Sequence, residues 1–203
     1  MKSKKILTML AAATVALTTA TPALVNQPAQ VQAATVKKNK YGFNKLYTFP
    51  KTWRGKWYST NNLTPNPMNI QKNSFDTPWA NDHVKAVEIG TVKGTKKYPW
   101  QMSRAWKSKN ADLFAKYARV TTKTMNGDKW TIVSPVDEKS TKMGYAFTVK
   151  TEVIDGKKES VLFQSHPQVG EVTNQYFRTE DLAKKYAAHE FKNMKYSKVN
   201  PRN

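Results

Sequence analysis

Apolar and polar positions alternate along much of this chain beyond residue 50, and the alternation sorts it into strands. Trp53 to Ser59 alternates loosely and predicts a first strand. Thr60 to Asp82 is rich in Asn and Pro, lacks any period, and reads as a long loop, a lid or a disordered segment. Val84 to Val92 is rich in β-branched residues and predicts a second strand. Tyr98 to Trp106 is ambiguous, and Ser108 to Tyr117 predicts a short helix capped by Ser108 or Asn110. Two hairpins follow, with turns at Asn126-Gly127 and Asp155-Gly156. Glu171 to Arg178 is the last strand. Thr179 then caps a helix running to Phe191, with acids in its first turn and one apolar side. The basic tail from Lys192 is expected to fray.

Phase decides the second hairpin. A two-residue loop would set Glu152 opposite Glu159 and split the apolar residues between the two faces of the sheet. A three-residue loop, Ile154 to Gly156, pairs Phe147 with Phe163, Val149 with Val161 and Glu152 with Lys158. Register follows the buried face, so the three-residue loop is expected.

About seven or eight strands joined mostly by short turns, with no strand–helix–strand rhythm, predict a mainly β fold: an antiparallel up-and-down β-barrel with a C-terminal α-helix. No internal repeat is visible.

The N-terminal stretch has another character. Lys2, Lys4 and Lys5 precede the mildly apolar run Ile6 to Ala20, and Val31-Gln32-Ala33 offers small residues to a signal peptidase. Residues 1–33 read as a cleaved signal peptide, with an earlier cut near Ala23 as the alternative. Residues 34–45 read as a basic flexible arm, and residues 46–203 as the barrel domain. No segment is apolar enough to predict a transmembrane span. The expected location is extracellular, secreted or loosely held at a cell wall.

The chain has 203 residues and a formal net charge of +20. Removing the leader's three lysines leaves +17, and no acid precedes Asp76. Such a balance attracts polyanions. Lys37, Lys38, Lys40 and Lys45 of the arm are candidates for contact with anionic wall polymers. Cysteine is absent, which excludes disulfides, thiol catalysis and cysteine metal sites.

The run W-R-G-K-W-Y, Trp53 to Tyr58, resembles the G-x-W signature that opens the barrel of lipocalins, with Gly55 and Trp57 in the matching places. It also looks like small secreted proteins of Gram-positive bacteria. The lipocalin resemblance implies that Trp57 plugs one barrel end and that a basic residue closing the last strand stacks on it. Arg178, in Y-F-R-T before the final helix, stands at that place. The family's middle signature, a T-D-Y-like turn, is missing.

Chemistry is sparse. His83, His166 and His189 lie far apart and show no metal-ligand spacing, so no metal or cofactor is expected. No nucleophile elbow, P-loop or dinucleotide motif occurs. A hydrolase would need the fold to gather two carboxylates or a Ser–His pair. Aromatics beside bases suggest stacking on single-stranded nucleic acid. However, Tyr145, Phe147 and Val149 alternate with Thr148, Lys150 and Glu152, which buries the rings and argues against specific nucleic-acid binding. A non-catalytic, monomeric binding protein is the expectation. Its interior, with Trp130, Tyr145, Phe147, Val149, Phe163 and Tyr176 as candidate lining, would hold a small apolar or amphipathic ligand. The alternative is a cationic module for the cell envelope.

Overall fold

A computed structural model describes residues 40–60, 66–77 and 83–198. The expected signal peptide, Lys37 and Lys38 lie outside the described residues. Ten strands form one sheet: β1 (Phe43–Leu46), β2 (Gly55–Trp57), β3 (Met68–Ile70), β4 (Ser74–Asp76), β5 (His83–Ile89), β6 (Tyr117–Met125), β7 (Asp128–Pro135), β8 (Tyr145–Ile154), β9 (Lys157–Ser165) and β10 (Val172–Tyr176). Helices α1 (Arg104–Lys109) and α2 (Ala111–Phe114) precede β6, and α3 (Glu180–Tyr186) follows β10. Among the described residues no helix is long and apolar enough to cross a membrane.

The sheet runs β10-β9-β8-β7-β6-β5-β4-β3-β2, with β1 also paired to β5. This corrects the up-and-down barrel in two ways. First, β5 and β6 are parallel, Lys85 opposite Tyr117 and Val87 opposite Arg119. Parallel neighbours need a crossover of about a dozen residues or more, and the segment carrying α1 and α2 supplies it. Second, the ladder is not closed into a barrel. Its edge strands meet instead at one antiparallel bridge, Tyr58 to Phe177, with two N–H···O bonds of 2.8 Å.

Two short strands, β3 and β4, occupy the stretch read as a loop. Three residues are too few to show a period, yet Met68, Ile70 and Phe75 are buried. Phe43 to Lys45, assigned to the basic arm, belong to β1. The helix expected at Ser108 instead starts at Arg104, where the Ser103 hydroxyl accepts the Trp106 N–H at 3.2 Å. It breaks at Asn110 before α2.

Both hairpins turn on two residues. Asn126 and Gly127 take φ of 50° and 83°, Asp155 and Gly156 φ of 50° and 75°. In the second, Glu152 faces Glu159, Thr148 faces Phe163 and Val149 faces Leu162, so the expected three-residue loop is corrected. A sheet with one buried face would demand the three-residue loop, and here both faces are buried. Phe147 and Leu162 pack inside the curl with Trp57 and Tyr176. Ile154, Val161 and Phe163 pack on the other face with Ala183, Phe191 and Met194 of the C-terminal segment. Asn193 of that segment donates to the Glu152 carboxylate at 2.8 Å, which accommodates the like-charged pair.

The tail from Lys192 docks where fraying was expected. Val172 donates to the Lys195 carbonyl at 2.7 Å and accepts from the Ser197 N–H at 3.0 Å. Helix α3 starts as its sequence dictates, the Thr179 hydroxyl accepting the Leu182 N–H at 3.3 Å. It stops at Tyr186 because the Gln175 side-chain amide takes up freed carbonyls. The two hydrogens on its Nε2 serve the carbonyls of Tyr186 at 2.6 Å and His189 at 3.0 Å, with the Ala187 carbonyl sharing one of them at 3.2 Å. A third cluster, Phe43, Val87, Phe114 and Val136, packs α1 and α2 against the outside of β5 and β6.

Candidate functional site

The inner face of the curled sheet draws on strands from both edges. Trp57 of β2 and Tyr176 of β10 belong to one buried cluster with Met68, Phe75, Val120, Val133, Phe147 and Leu162. At one end Trp57 is fully buried and its indole N–H donates to the Trp53 carbonyl at 2.6 Å. The Arg178 guanidinium lies 3.4 Å from the centre of the Trp57 ring. It also donates to the carbonyls of Arg54 at 3.1 Å, Lys56 at 3.4 Å and Thr52. Burial lowers the Arg178 pKa from the ordinary arginine value. Such a cation over an indole contributes roughly 0.5–2 kcal/mol. Gly55 makes room for it: with φ of +109° it takes a conformation side chains disfavour, and a Cβ there would sit 3.3 Å from Arg178 Nη1.

One row of cross-strand neighbours crosses the inner face beside this stacked pair. Thr122 faces Thr131, Thr131 faces Phe147, Phe147 faces Gln164 and Gln164 faces Asn174. Residues directly opposite share a face, so the row is continuous. It ends on Ser59, whose hydroxyl donates to Asn174 Oδ1 at 2.8 Å. The Tyr176 hydroxyl donates to Gln164 Oε1 at 2.6 Å. Apart from Phe147 the row is polar in an otherwise apolar cluster, and Gln164, Asn174, Ser59 and Thr131 are all buried. Asn174 Nδ2 is a buried donor with no partner among the described residues.

A cavity stands at each end of the row. The one at Thr122 has a volume of about 360 Å³ and opens where β5 and β6 diverge, with Tyr47, Val120, Arg119 and Glu88 in its wall. The one at Ser59 has a volume of about 310 Å³ and runs between Tyr58 and Asn66 on one side and Glu180, Ala183 and Lys184 of α3 on the other.

The six candidate lining residues divide between faces. Tyr145, Phe147, Val149 and Tyr176 belong to the inner cluster. Trp130 and Phe163 belong to the outer one, because the two-residue turn sets Phe163 beside Thr148. None of the six lines either cavity. Lys40 is exposed and lies 5.0 Å from the Tyr41 ring centre, while Lys45 pairs with Glu88 at 3.0 Å. The histidines stay apart: His189 packs on Phe191 with ring centres 4.6 Å apart, and His83 lies on β5. Among the described residues no group of three or more His, Cys, Asp or Glu could hold a metal ion.

Sequence reasoning missed the polar row. Its one visible signal is Asn174-Gln175 in the middle of the apolar strand E-V-T-N-Q-Y-F-R. Arg119 was missed too. It is buried, donates to the Ser134 hydroxyl at 3.2 Å, and lies 4.6 Å from the Trp100 ring centre. No protein-family model, curated protein or solved structure matches this chain.

Proposed function

We propose that this chain is an exported, monomeric binding protein whose curled, unclosed sheet holds its ligand on the inner face in a lipocalin-like way, with its edges touching at the Tyr58–Phe177 bridge. Its ligand is small and partly apolar and carries a hydrogen-bond acceptor. The observation that carries this reading is Asn174 Nδ2, a buried donor without a partner among the described residues; Asn174 lines neither cavity itself but is bonded to Ser59, a wall residue of the cavity of about 310 Å³. Leaving such a group unsatisfied costs about 1–3 kcal/mol, and a carbonyl or carboxylate oxygen delivered there would relieve it. The cavity volumes of about 310 and 360 Å³ fit a small molecule.

Native mass spectrometry of the mature chain from its own medium tests the reading. The expected result is a reproducible added mass, lost on denaturation and reduced in Asn174→Leu. A bare protein mass would sink it.

The net charge of +20 favours a second reading, adhesion to anionic envelope polymers through lysines such as Lys40. Adhesion of that kind weakens steeply as salt rises, whereas a ligand on the inner face stays bound.

A further inference from the structure

The outward face of the β4–β5 hairpin carries an arrangement the binding role does not use. Ser74 and Asp76 sit two apart on β4, so both point away from the core that Phe75 enters. His83 opens β5 directly opposite Asp76. The Asp76 Oδ1 to His83 Nδ1 distance is 2.7 Å, and His83 Nε2 lies 2.8 Å from the Ser74 hydroxyl. The other Asp76 oxygen accepts the Asn69 backbone N–H at 2.7 Å, which holds the carboxylate in place. With its proton on Nδ1, toward Asp76, the imidazole presents a lone pair on Nε2 to the serine O–H. The alternative acceptor for that O–H, Gln71 Oε1, is farther away at 3.4 Å.

We infer that Ser74, His83 and Asp76 form a nucleophile–base–orienter relay for acyl transfer from small carboxylic esters. A nucleophile within hydrogen-bond reach of a base, itself oriented by a third group, is the geometry that activates a serine. Ser74 Oγ bonds to the ester carbonyl carbon as its proton passes to His83 Nε2. The tetrahedral intermediate breaks its bond to the alcohol, which leaves with that proton. Water then attacks the acyl-serine and gives a proton to His83. The acid departs, and the proton returns to Ser74. Asp76 is a positioning residue that stabilises the imidazolium. Lys85 stands directly opposite Ser74 on the same face, with its ammonium 5.9 Å from the Tyr117 ring centre on the far side of β5, and would have to swing toward Ser74 to meet the developing oxyanion. His83 is 38% and Asp76 22% exposed, so the substrate approaches from solvent, which suits short acyl groups rather than bulky ones. The site lies on the sheet face opposite the polar row, so each reading stands or fails alone.

The test uses the full mature chain with a fluorophosphonate probe and p-nitrophenyl acetate. The expected result is a single adduct at Ser74 by peptide mapping, with p-nitrophenol release that the probe blocks. His83→Gln should slow both by about a hundredfold or more, the usual contribution of a general base. The labelling rate should rise with pH, as a general base requires. No adduct, an adduct elsewhere, or an unchanged rate in His83→Gln overturns the relay. Should His83→Gln lower the melting temperature, the unaltered chain decides. A labelling rate that does not depend on pH overturns it as well.

Discussion

The two halves of the sheet solve the same problem differently. From β2 to β4 the strands are three residues long and only their inner face is apolar, with Trp57, Met68, Ile70 and Phe75 inside, and β5 adds a buried Val87 on the outer side under α1 and α2. From β7 to β10 most strands are longer and both faces are covered, the inner by the curl and the outer by the C-terminal segment. The short half leaves its outer face free for polar groups such as Ser74, Asp76 and His83. The long half buries adjacent residues on opposite sides and makes polar positions such as Gln164 and Asn174 internal. A period-two rule is informative in a half-covered sheet and misleading in a fully covered one.

Substitutions can break that contrast, beginning with the largest effect. Trp57→Ala removes the indole under Arg178 and should cost about 3–5 kcal/mol in denaturant unfolding, as a large core truncation does. A loss under about 1 kcal/mol would mean that the plug is not structural. In the long half, the neighbours Leu162→Ala and Phe163→Ala should each cost at least about 2 kcal/mol, since they fill opposite faces. A small cost at one of them alone would show that one face is open. In the short half, Ser74→Ala should change stability by no more than about 0.5 kcal/mol. A loss of several times that would make the polar trio a structural element of the hairpin. The smallest effect concerns pH. Hydrogen bonds from Lys185 and Tyr186 hold the Asp155 carboxyl below its ordinary value. Its stabilisation is therefore present above the ordinary aspartate pKa and is lost as pH falls through the lower folded value. Asp155→Asn keeps the left-handed turn and should flatten the acid limb of the melting temperature against pH slightly. An acid limb identical to the parent's would show that the pair contributes nothing.

Legibility followed element length and cover. The Asn126-Gly127 hairpin was readable because its turn residues demand positive φ, and the Thr179 start of α3 because a threonine stands before two acids. The Asp155-Gly156 turn carries the same signal. There the pattern of buried residues overrode it, because no local feature announces that Phe191 and Met194 return to cover the second face. Strands β3 and β4 were invisible for lack of length, and with them went Ser74 and Asp76. The contact of Arg178 with Trp57 rests on a motif at each end of the domain. The polar row has no local signature, since Thr122, Thr131, Gln164 and Asn174 come from four strands and align only once the registers are set.

The meeting of the two sheet edges has a kinetic consequence. Arg178 reaches the Arg54 carbonyl across 124 positions of sequence, beside the Tyr58–Phe177 bridge. Joining such distant segments forfeits more chain entropy than closing either two-residue hairpin, and loop-closure entropy must be met before the contact can repay it. The edge contact therefore forms late, after the β6–β7 and β8–β9 hairpins. Among the described residues it is joined by two backbone hydrogen bonds, Tyr58 with Phe177, so it is expected to open before the long β8–β9 ladder. In hydrogen exchange the amides of Tyr58 and Phe177 should lose protection at a lower opening free energy than those in the middle of β8 and β9.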